Sequence, residues 1–145
     1  MALKGSHNIN DFAISFGGAL MSGFGNDIAA NVEFPNQRWT TEQGCDGEST
    51  RMRNNGDLFA TVTITLKSSS DSNNKMLLQS EIDRLTGGGV FPLTIIHTKG
   101  GEKYTAAEAY ITKQPDAEIG ANATDREWSI DCPVLIVAGY GLGTA

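Results

Sequence analysis

Histidine and cysteine are scarce in this sequence. The histidines among its 145 residues are His7 and His97, and the cysteines are Cys45 and Cys132. A metal site in a protein usually needs several such ligands close together, and these residues show no CxxC or similar spacing. We therefore expect no metal site and no cofactor. Because free cysteines are usually buried, we expect two buried thiols, with a disulfide between them as the open alternative.

Basic runs and long apolar runs are also missing. The net charge is −6 at pH 7, and lysine and arginine are spread along the chain. This argues against a nucleic-acid binder, which would carry a basic patch. The longest apolar run, 134–138, is too short to span a membrane, and Asn8, Asn10 and Asp11 interrupt any signal-peptide core. We therefore expect a soluble protein made in the cytoplasm.

Catalytic motifs are absent as well. No Gly-x-Ser-x-Gly motif occurs, and the glycines at 87–89 run into an apolar segment and not into the lysine of a phosphate loop. Two pairs of acids, Asp46 with Glu48 and Glu127 with Asp131, fall in a predicted turn and a predicted strand, where such groups are usually exposed. The sequence therefore predicts a protein that is not an enzyme.

Strand patterns, in contrast, are frequent. In residues 58–66 every second residue is apolar, and the residues between them are Phe59 and three threonines. Strict alternation is typical of a strand that buries one face. Gly44–Gly47 predicts a tight turn between two strands. Further strands are predicted at 9–16, 28–34, 37–43, 49–53, 90–98, 104–112 and 127–138. In the last of these, Trp128, Ile130, Cys132, Val134 and Ile136 share one predicted face.

One helix is predicted between two capping signals. It begins at a cap of Asp71 or Ser72 and ends at the glycines that follow residue 86. Leu78, Ile82 and Leu85 form an apolar stripe on this helix. We expect that stripe to lie on a sheet.

Many strands with one helix predict a mainly β (α+β) fold. We expect a single domain over residues 1–145, built as an antiparallel β-sandwich or partly open barrel with the helix packed on it. Such a domain has edge strands that must be capped or paired. The glycine-rich tail at about 139–145 is expected to be mobile.

A series of short segments occurs in a characteristic order. They are GCDGESTR at 44–51, Asn54–Asn55, ATVTITL at 60–66, SNN at 72–74, YTAAEAYI at 104–111, KQPD at 113–116 and TDREWSIDC at 124–132. In order and spacing they resemble the tail tube proteins of contractile-tailed, myovirus-type bacteriophages. The resemblance spans most of the chain and is less distinct before Phe34.

This resemblance implies a structural virion protein. Its subunits would form hexameric rings that stack into the inner tail tube, and the sheets of neighbouring subunits would join into a continuous barrel. A contractile sheath would surround the tube. DNA would leave the capsid through the lumen without specific binding. Baseplate or tail-tip proteins and the tape-measure protein would be further partners, and assembly would take place in the host cytoplasm.

Three candidate surfaces follow for such a subunit. Residues expected to face the lumen are Thr61, Thr63 and Thr65. Residues of the predicted hairpin expected to contact the adjacent ring are Asp46, Glu48, Arg51, Arg53 and Asn54. Residues of the helix at 73–85 expected to face the sheath are Glu81, Asp83 and Arg84. The acidic character of the chain would keep DNA from adhering to it.

Two alternatives stay open. The tube of a phage-derived contractile bacteriocin would have the same fold, and a virion or the genomic neighbours would be needed to separate the two. A monomeric β-sandwich that binds, for example, a glycan would show a surface cluster of aromatic residues. Trp39 and Trp128 lie in different predicted strands and form no obvious platform.

Overall fold

The computed structural model describes residues 7–25, 27–98 and 101–140. These residues form a short 3-10 helix, ten strands and one α-helix. In chain order the elements are the 3-10 helix Ile9–Asp11, β1 Phe12–Phe16, β2 Ala19–Leu20, β3 Ala30–Glu33, β4 Trp39–Gln43, β5 Ser49–Arg53, β6 Ala60–Lys67, α1 Ser72–Thr86, β7 Phe91–His97, β8 Glu102–Lys113, β9 Asp125–Cys132 and β10 Leu135–Tyr140. Of the glycine-rich tail predicted to be mobile, residues 141–145 lie outside the described part, whereas Gly139 and Tyr140 pair with β8.

Eight strands form one antiparallel sheet around the long strand β8. The strand order is β2-β1-β7-β8-β9-β6-β3, and β10 also pairs with β8. The first half of β8 lies between β7 and β10, while residues Tyr110 to Lys113 pair with β9. β4 and β5 form a separate two-stranded sheet. The predicted mainly β, antiparallel fold with one helix is thus confirmed.

Both halves of the eight-stranded sheet contribute to one core. β6 supplies Ala60, Val62, Ile64 and Leu66, each with no exposed surface. The other strands of the sheet add Phe16, Leu93, Ala106, Trp128, Ile130, Cys132 and Leu135, and Met76 of α1 and Met21 of the loop after β2 belong to the same cluster. The predicted alternation in β6 is confirmed from Ala60 onward. Leu58, predicted on the buried face, lies in the turn before the strand and is exposed.

The orientation predicted for the helix is wrong. Leu78 is 63% and Leu85 is 72% exposed, and Ile82 is also exposed. The buried residues of α1 are instead Ser72 and Met76.

Polar contacts explain this orientation. The Ser72 hydroxyl accepts a hydrogen bond from Ser22 N at 2.9 Å, and the Gln79 amide donates to Phe16 O at 3.0 Å. Trp128 Nε1 donates to Asn73 Oδ1 at 2.9 Å. Because these bonds satisfy otherwise unpaired backbone and indole groups, the polar side of the helix faces the body.

The last predicted strand is two strands separated by a break. Trp128, Ile130 and Cys132 are buried as expected, but Val134 and Ile136 are exposed. The chain leaves the ladder at Pro133, which has no N–H to donate to it. Pairing resumes with Leu135, which is fully buried, so the inward-facing residues change from even to odd numbers.

Two leucine-to-alanine changes test the orientation of the helix. Leu66→Ala removes fully buried apolar atoms, so it should lower the free energy of unfolding by about 2–5 kcal/mol. Leu78→Ala removes the same atoms from an exposed position and should change it by less than about 0.5 kcal/mol. Urea denaturation of the monomer measures both. Equal losses would mean that the predicted leucine stripe packs on the sheet after all.

Candidate assembly surfaces

The β4–β5 hairpin, here called the arm, projects from the rest of the subunit. All ten residues of its two strands are exposed. Its tip closes with a hydrogen bond from Gly44 N to Glu48 O at 2.7 Å, and Gly47 has a φ of 90°, a conformation that favours glycine. Asp46 Oδ1 accepts a hydrogen bond from Glu48 N. An arm with both faces in solvent makes little contribution to the core of its own subunit.

A buried carboxylate fixes the base of the arm. Asp57 Oδ2 accepts from Arg38 Nε at 3.0 Å, and Asp57 Oδ1 accepts from Arg53 Nη2 at 3.1 Å. Arg53 Nη1 also donates to Arg38 O at 2.9 Å. We call this group the clamp. Burial raises the pKa of the Asp57 carboxyl, but the hydrogen bonds and charges of Arg38 and Arg53 together lower it by more. The pKa therefore lies below its ordinary value.

An arginine and a tryptophan stack near the base of the arm. The guanidinium carbon of Arg51 lies 3.9 Å from the centre of the Trp39 ring, and that of Arg53 lies 5.5 Å from it. These distances are in the range of cation–π attraction. The five residues predicted for an inter-ring contact are therefore divided along the arm. Asp46 and Glu48 lie at the tip, whereas Arg53 and Asn54 are held at the base.

The threonines of β6 lie on a polar face shared with the neighbouring strands. Thr61, Thr63 and Thr65 alternate with buried residues and are partly exposed. They stand opposite Asp131, Ser129 and Glu127 of β9, respectively. Thr61 Oγ1 lies 3.2 Å from Asp131 Oδ1, to which it donates. On the other side, Glu33 of β3 pairs with Thr61 and Asn31 pairs with Thr63. We call this surface the polar face, and its charges are mainly negative.

The exposed side of α1 combines charged and apolar residues. Arg84 Nε donates to Glu81 Oε2 at 2.9 Å, and both side chains reach solvent. Asp83, the third residue predicted to face the sheath, is half-buried, and its Oδ1 accepts from Gly89 N at 3.1 Å in the loop that follows the helix. Leu78, Ile82 and Leu85 form an apolar flank beside the charged pair.

The two thiols differ in their surroundings. Cys132 is buried in the core, as predicted. Burial and, to a lesser degree, the charge of Asp131 raise its pKa to about 11, so it is a poor nucleophile at neutral pH. Cys45 is exposed at the tip of the arm, so the prediction of burial was wrong for this residue. Both cysteines are free, and no disulfide joins them.

The described residues contain no group of three or more histidine, cysteine or acidic side chains placed to hold a metal ion. In the same part of the chain, no helix combines the length and the apolar character needed to cross a membrane.

Comparison with known proteins identifies the family of this chain. Residues 1–138 match the family described as the bacteriophage PhiTE tail tube protein. The chain belongs to this phage tail tube family. Structural protein ORF10 of Pseudomonas phage KPP10 is 30% identical over 112 residues, which make up 76% of this chain and 64% of that protein. The tail tube chain thus spans less than two thirds of this relative. The predicted family is confirmed.

Solved structures resemble the tail tube chain in fold. The cap that terminates the tube of the anti-feeding prophage aligns with a TM-score of 0.63 at 9% identity, over 96% of this chain and 95% of its own. The sheath/tube terminator of an extracellular contractile injection system, PVC, aligns with a TM-score of 0.60 at 11% identity, over 95% and 100%. The sheath–tube complex of PVC contributes a chain with a TM-score of 0.60 at 12% identity, over 91% and 90%.

Two features of the tail tube subunit were missed at the level of sequence. The clamp joins Arg38 and Asp57, which are 19 positions apart. Arg53 and Asp57 are only four positions apart and could have been noted as a charge pair. The Arg51–Trp39 stack depends on the register of the hairpin, in which Trp39 pairs with Arg53 and Thr41 with Arg51. That register follows from the turn, so this contact was within reach of sequence reasoning.

Acidification tests the clamp. Since the folded-state pKa of Asp57 is lowered, its contribution should be complete above its ordinary pKa of about 4 and lost as the pH falls through the lower folded value. The protection of residues 39–53 against amide hydrogen exchange, measured relative to the intrinsic rate at each pH, should therefore fall at low pH while that of β6 is kept. Asp57→Asn should show the faster arm exchange already at pH 7. Unchanged arm exchange in this variant would mean that the clamp does not hold the arm.

Proposed function

We propose that this protein builds the inner tube of a contractile phage tail by forming hexameric rings that stack along one axis. The observation that carries the proposal is that β6, in a member of the tail tube family, has one apolar and one polar side. One side of the strand is wholly buried, and the other belongs to the polar face. Because wide barrels enclose water, such a strand suits the wall of a lumen. The protein acts by assembly and not by catalysis.

The charges of the polar face fit a conduit for DNA. The acidic side chains around the threonines are those of Glu33, Asp125, Glu127 and Asp131. Two basic residues share the face, Lys67 opposite Asp125 and Lys113 opposite Ser129, so acids outnumber bases there. Negative charge repels the phosphates of DNA, so the genome passes without binding to the wall. The net charge of −6 acts in the same direction.

Unpaired strand edges support closure into a ring. Within the described residues, β2, β3 and β10 each pair with one strand only. Open edges favour association with further strands, and closure of a ring by neighbouring copies removes them. In this proposal residues 1–145 form one tail tube domain, and sheets of adjacent subunits join into a continuous barrel.

Other tail proteins complete the assembly. We assign the Glu81–Arg84 side of α1 to the contractile sheath, since this charged surface faces away from the core. Asp83 is less suited to that contact because its carboxylate holds the loop at Gly89. The tape-measure protein and the baseplate or tail tip are the further partners, with assembly in the host cytoplasm and the finished tube in the virion.

A tube of a capsid-free contractile machine is the second candidate, because the solved structures of similar fold come from contractile injection systems. The phage assignment is preferred because the matching family and the relative from phage KPP10 are phage proteins. A monomeric glycan-binding module is disfavoured, since Trp128 is buried against Asn73 and only Trp39 reaches the surface.

Electron microscopy of the purified protein tests self-assembly. Negative-stain images over a rising concentration series should show rings or hollow tubes, and sedimentation should show a matching loss of monomer. Where isolated subunits need a nucleus, addition of baseplate should produce tubes. A protein that stays monomeric at every concentration, with baseplate present, would contradict the proposed function.

Thiol labelling tests which face lines the lumen. In a Cys45→Ser background, Thr63→Cys in assembled tubes should react with a small maleimide that diffuses into the lumen, but not with a maleimide on a polymer too bulky to enter. Asn74→Cys, on the exposed side of α1, is the matched control and should react with both reagents. Reaction of Thr63→Cys with the bulky reagent in intact tubes would place the polar face outside.

A further inference from the structure

An asparagine followed by a glycine lies in the turn at the base of the arm. Asn55 and Gly56 are the one Asn-Gly pair in the sequence, and both are exposed in the turn that leads from β5 to Asp57 of the clamp. In such a pair the backbone nitrogen of the glycine can attack the side-chain carbonyl carbon of the asparagine, because glycine has no Cβ to hinder the approach. The turn therefore places the two reactants of a deamidation beside the clamp.

This deamidation consumes water and no other reagent. Attack of Gly56 N on Asn55 Cγ forms a new C–N bond, and the side-chain nitrogen leaves as ammonia, so that a cyclic imide links the two residues. Water then opens the imide at one of its carbonyl carbons. Opening at Cγ gives aspartate, whereas opening at the main-chain carbonyl carbon gives isoaspartate, in which the chain runs through the side chain. No electrons are exchanged with another molecule.

Hydrogen bonds in the folded turn oppose the attack. Gly56 N donates to Asn54 Oδ1 at 3.0 Å. Gly56 O accepts from Asn36 Nδ2 at 3.1 Å and from Phe59 N at 3.3 Å. The glycine nitrogen attacks only after it has lost its proton, and the bond to Asn54 Oδ1 stabilises the amide that still carries it. The reaction therefore requires opening of the turn, which costs little free energy in an exposed segment.

We propose that Asn55 is a deamidation site, that opening of the turn limits its reaction, and that its products loosen the clamp. Arg53 and Asp57 enclose the reactive pair, since the Arg53 guanidinium donates to Asn54 O and to Asp57 Oδ1, each at 3.1 Å. Isoaspartate adds a carbon atom to the main chain between these two partners and so changes how they meet. Either product also adds a carboxylate that competes with Asp57 for its arginines.

A methyl group at residue 56 tests the assignment of the site. The φ of Gly56 is not in the left-handed region, and an added Cβ would lie 3.5 Å from Asn36 Nδ2 and 3.6 Å from Asn54 Oδ1, which are ordinary van der Waals distances. Gly56→Ala should therefore fold as the native chain does. Its methyl group should slow the loss of ammonia from Asn55 by about tenfold or more, which corresponds to a barrier higher by about 1.4 kcal/mol or more.

Mass spectrometry after incubation at mildly alkaline pH, where the backbone amide loses its proton more readily, measures this loss. Trypsin releases residues 54–67 as one peptide, and fragmentation of that peptide locates the new acid at Asn55. Asn122, which is exposed and followed by alanine, is the internal control and should keep its amide. Equal retention of the amide at Asn55 and Asn122, or an equal rate in Gly56→Ala, would overturn the assignment.

Removal of the hydrogen-bond acceptor tests the restraint by the turn. Asn54→Ala should speed the deamidation of Asn55 by about two- to tenfold, the effect of one hydrogen bond on the opening equilibrium. In urea, where both chains are unfolded, the two rates should be equal. A difference that persists in urea, or equal rates in the folded proteins, would show that the bond to Asn54 Oδ1 does not control the reaction.

Amide hydrogen exchange tests the effect on the clamp. Native protein in which Asn55 has reacted should lose protection in residues 39–53, because both products disturb the contacts of Asp57. Gly56→Ala incubated for the same time should keep that protection. Full protection in native protein that carries isoaspartate would contradict the loosening of the clamp. The full chain is used throughout, and the outcome does not depend on whether it forms rings or tubes.

Discussion

The pairing of β6 on both of its edges is the constraint on which the rest of the structure depends. β3 and β9 hold it from either side, and its inward residues have no exposed surface. Val62, Ile64 and Leu66 each stabilise the fold by about 1.5–3 kcal/mol on burial. The register of such a strand is fixed, because a slip of one residue would move all of its buried apolar side chains to the solvent-facing side. Its threonines are therefore held rigidly in one surface with the acids of β9.

Because the core lies mainly within this sheet, other parts of the chain remain on the surface. The core is formed by two halves of one sheet, and little of it depends on the helix, which buries only Ser72 and Met76 among its residues. The arm contributes no strand residue to the core. Strand edges, an apolar helix flank and a charged arm are thus left on the surface of the isolated chain. Surfaces of this kind are typical of a subunit that reaches its lowest free energy in an assembly.

Sequence patterns predicted the parts of this fold that depend on local periodicity. Alternation located β6, and the turn glycines located the arm, because both signals act within a few residues. The orientation of α1 could not be read in the same way. An apolar stripe shows that a helix has an apolar side, but not whether that side meets its own sheet or another chain. Here Asn73 and Gln79 form polar contacts with the sheet strands, and the leucines remain outside.

The candidate surfaces likewise include features that local periodicity predicted and features that depend on tertiary contacts. Period-two alternation placed Thr61, Thr63 and Thr65 together on one face. The clamp at Asp57 needed the three-dimensional path of the chain, since Arg38 and Asp57 meet only after the hairpin has folded. The break at Pro133, which turns Ile136 outward, was visible as a proline, but the resumption of pairing at Leu135 was not.

A cryo-electron microscopy reconstruction of the assembled protein tests the central claim most directly. The account predicts stacked rings whose inner wall displays the polar face of β6 and β9, with the apolar side of β6 buried behind it. It also predicts that the arm crosses from one ring to the next. A reconstruction in which the polar face lies on the outside of the tube, or in which the copies do not form rings, would contradict it.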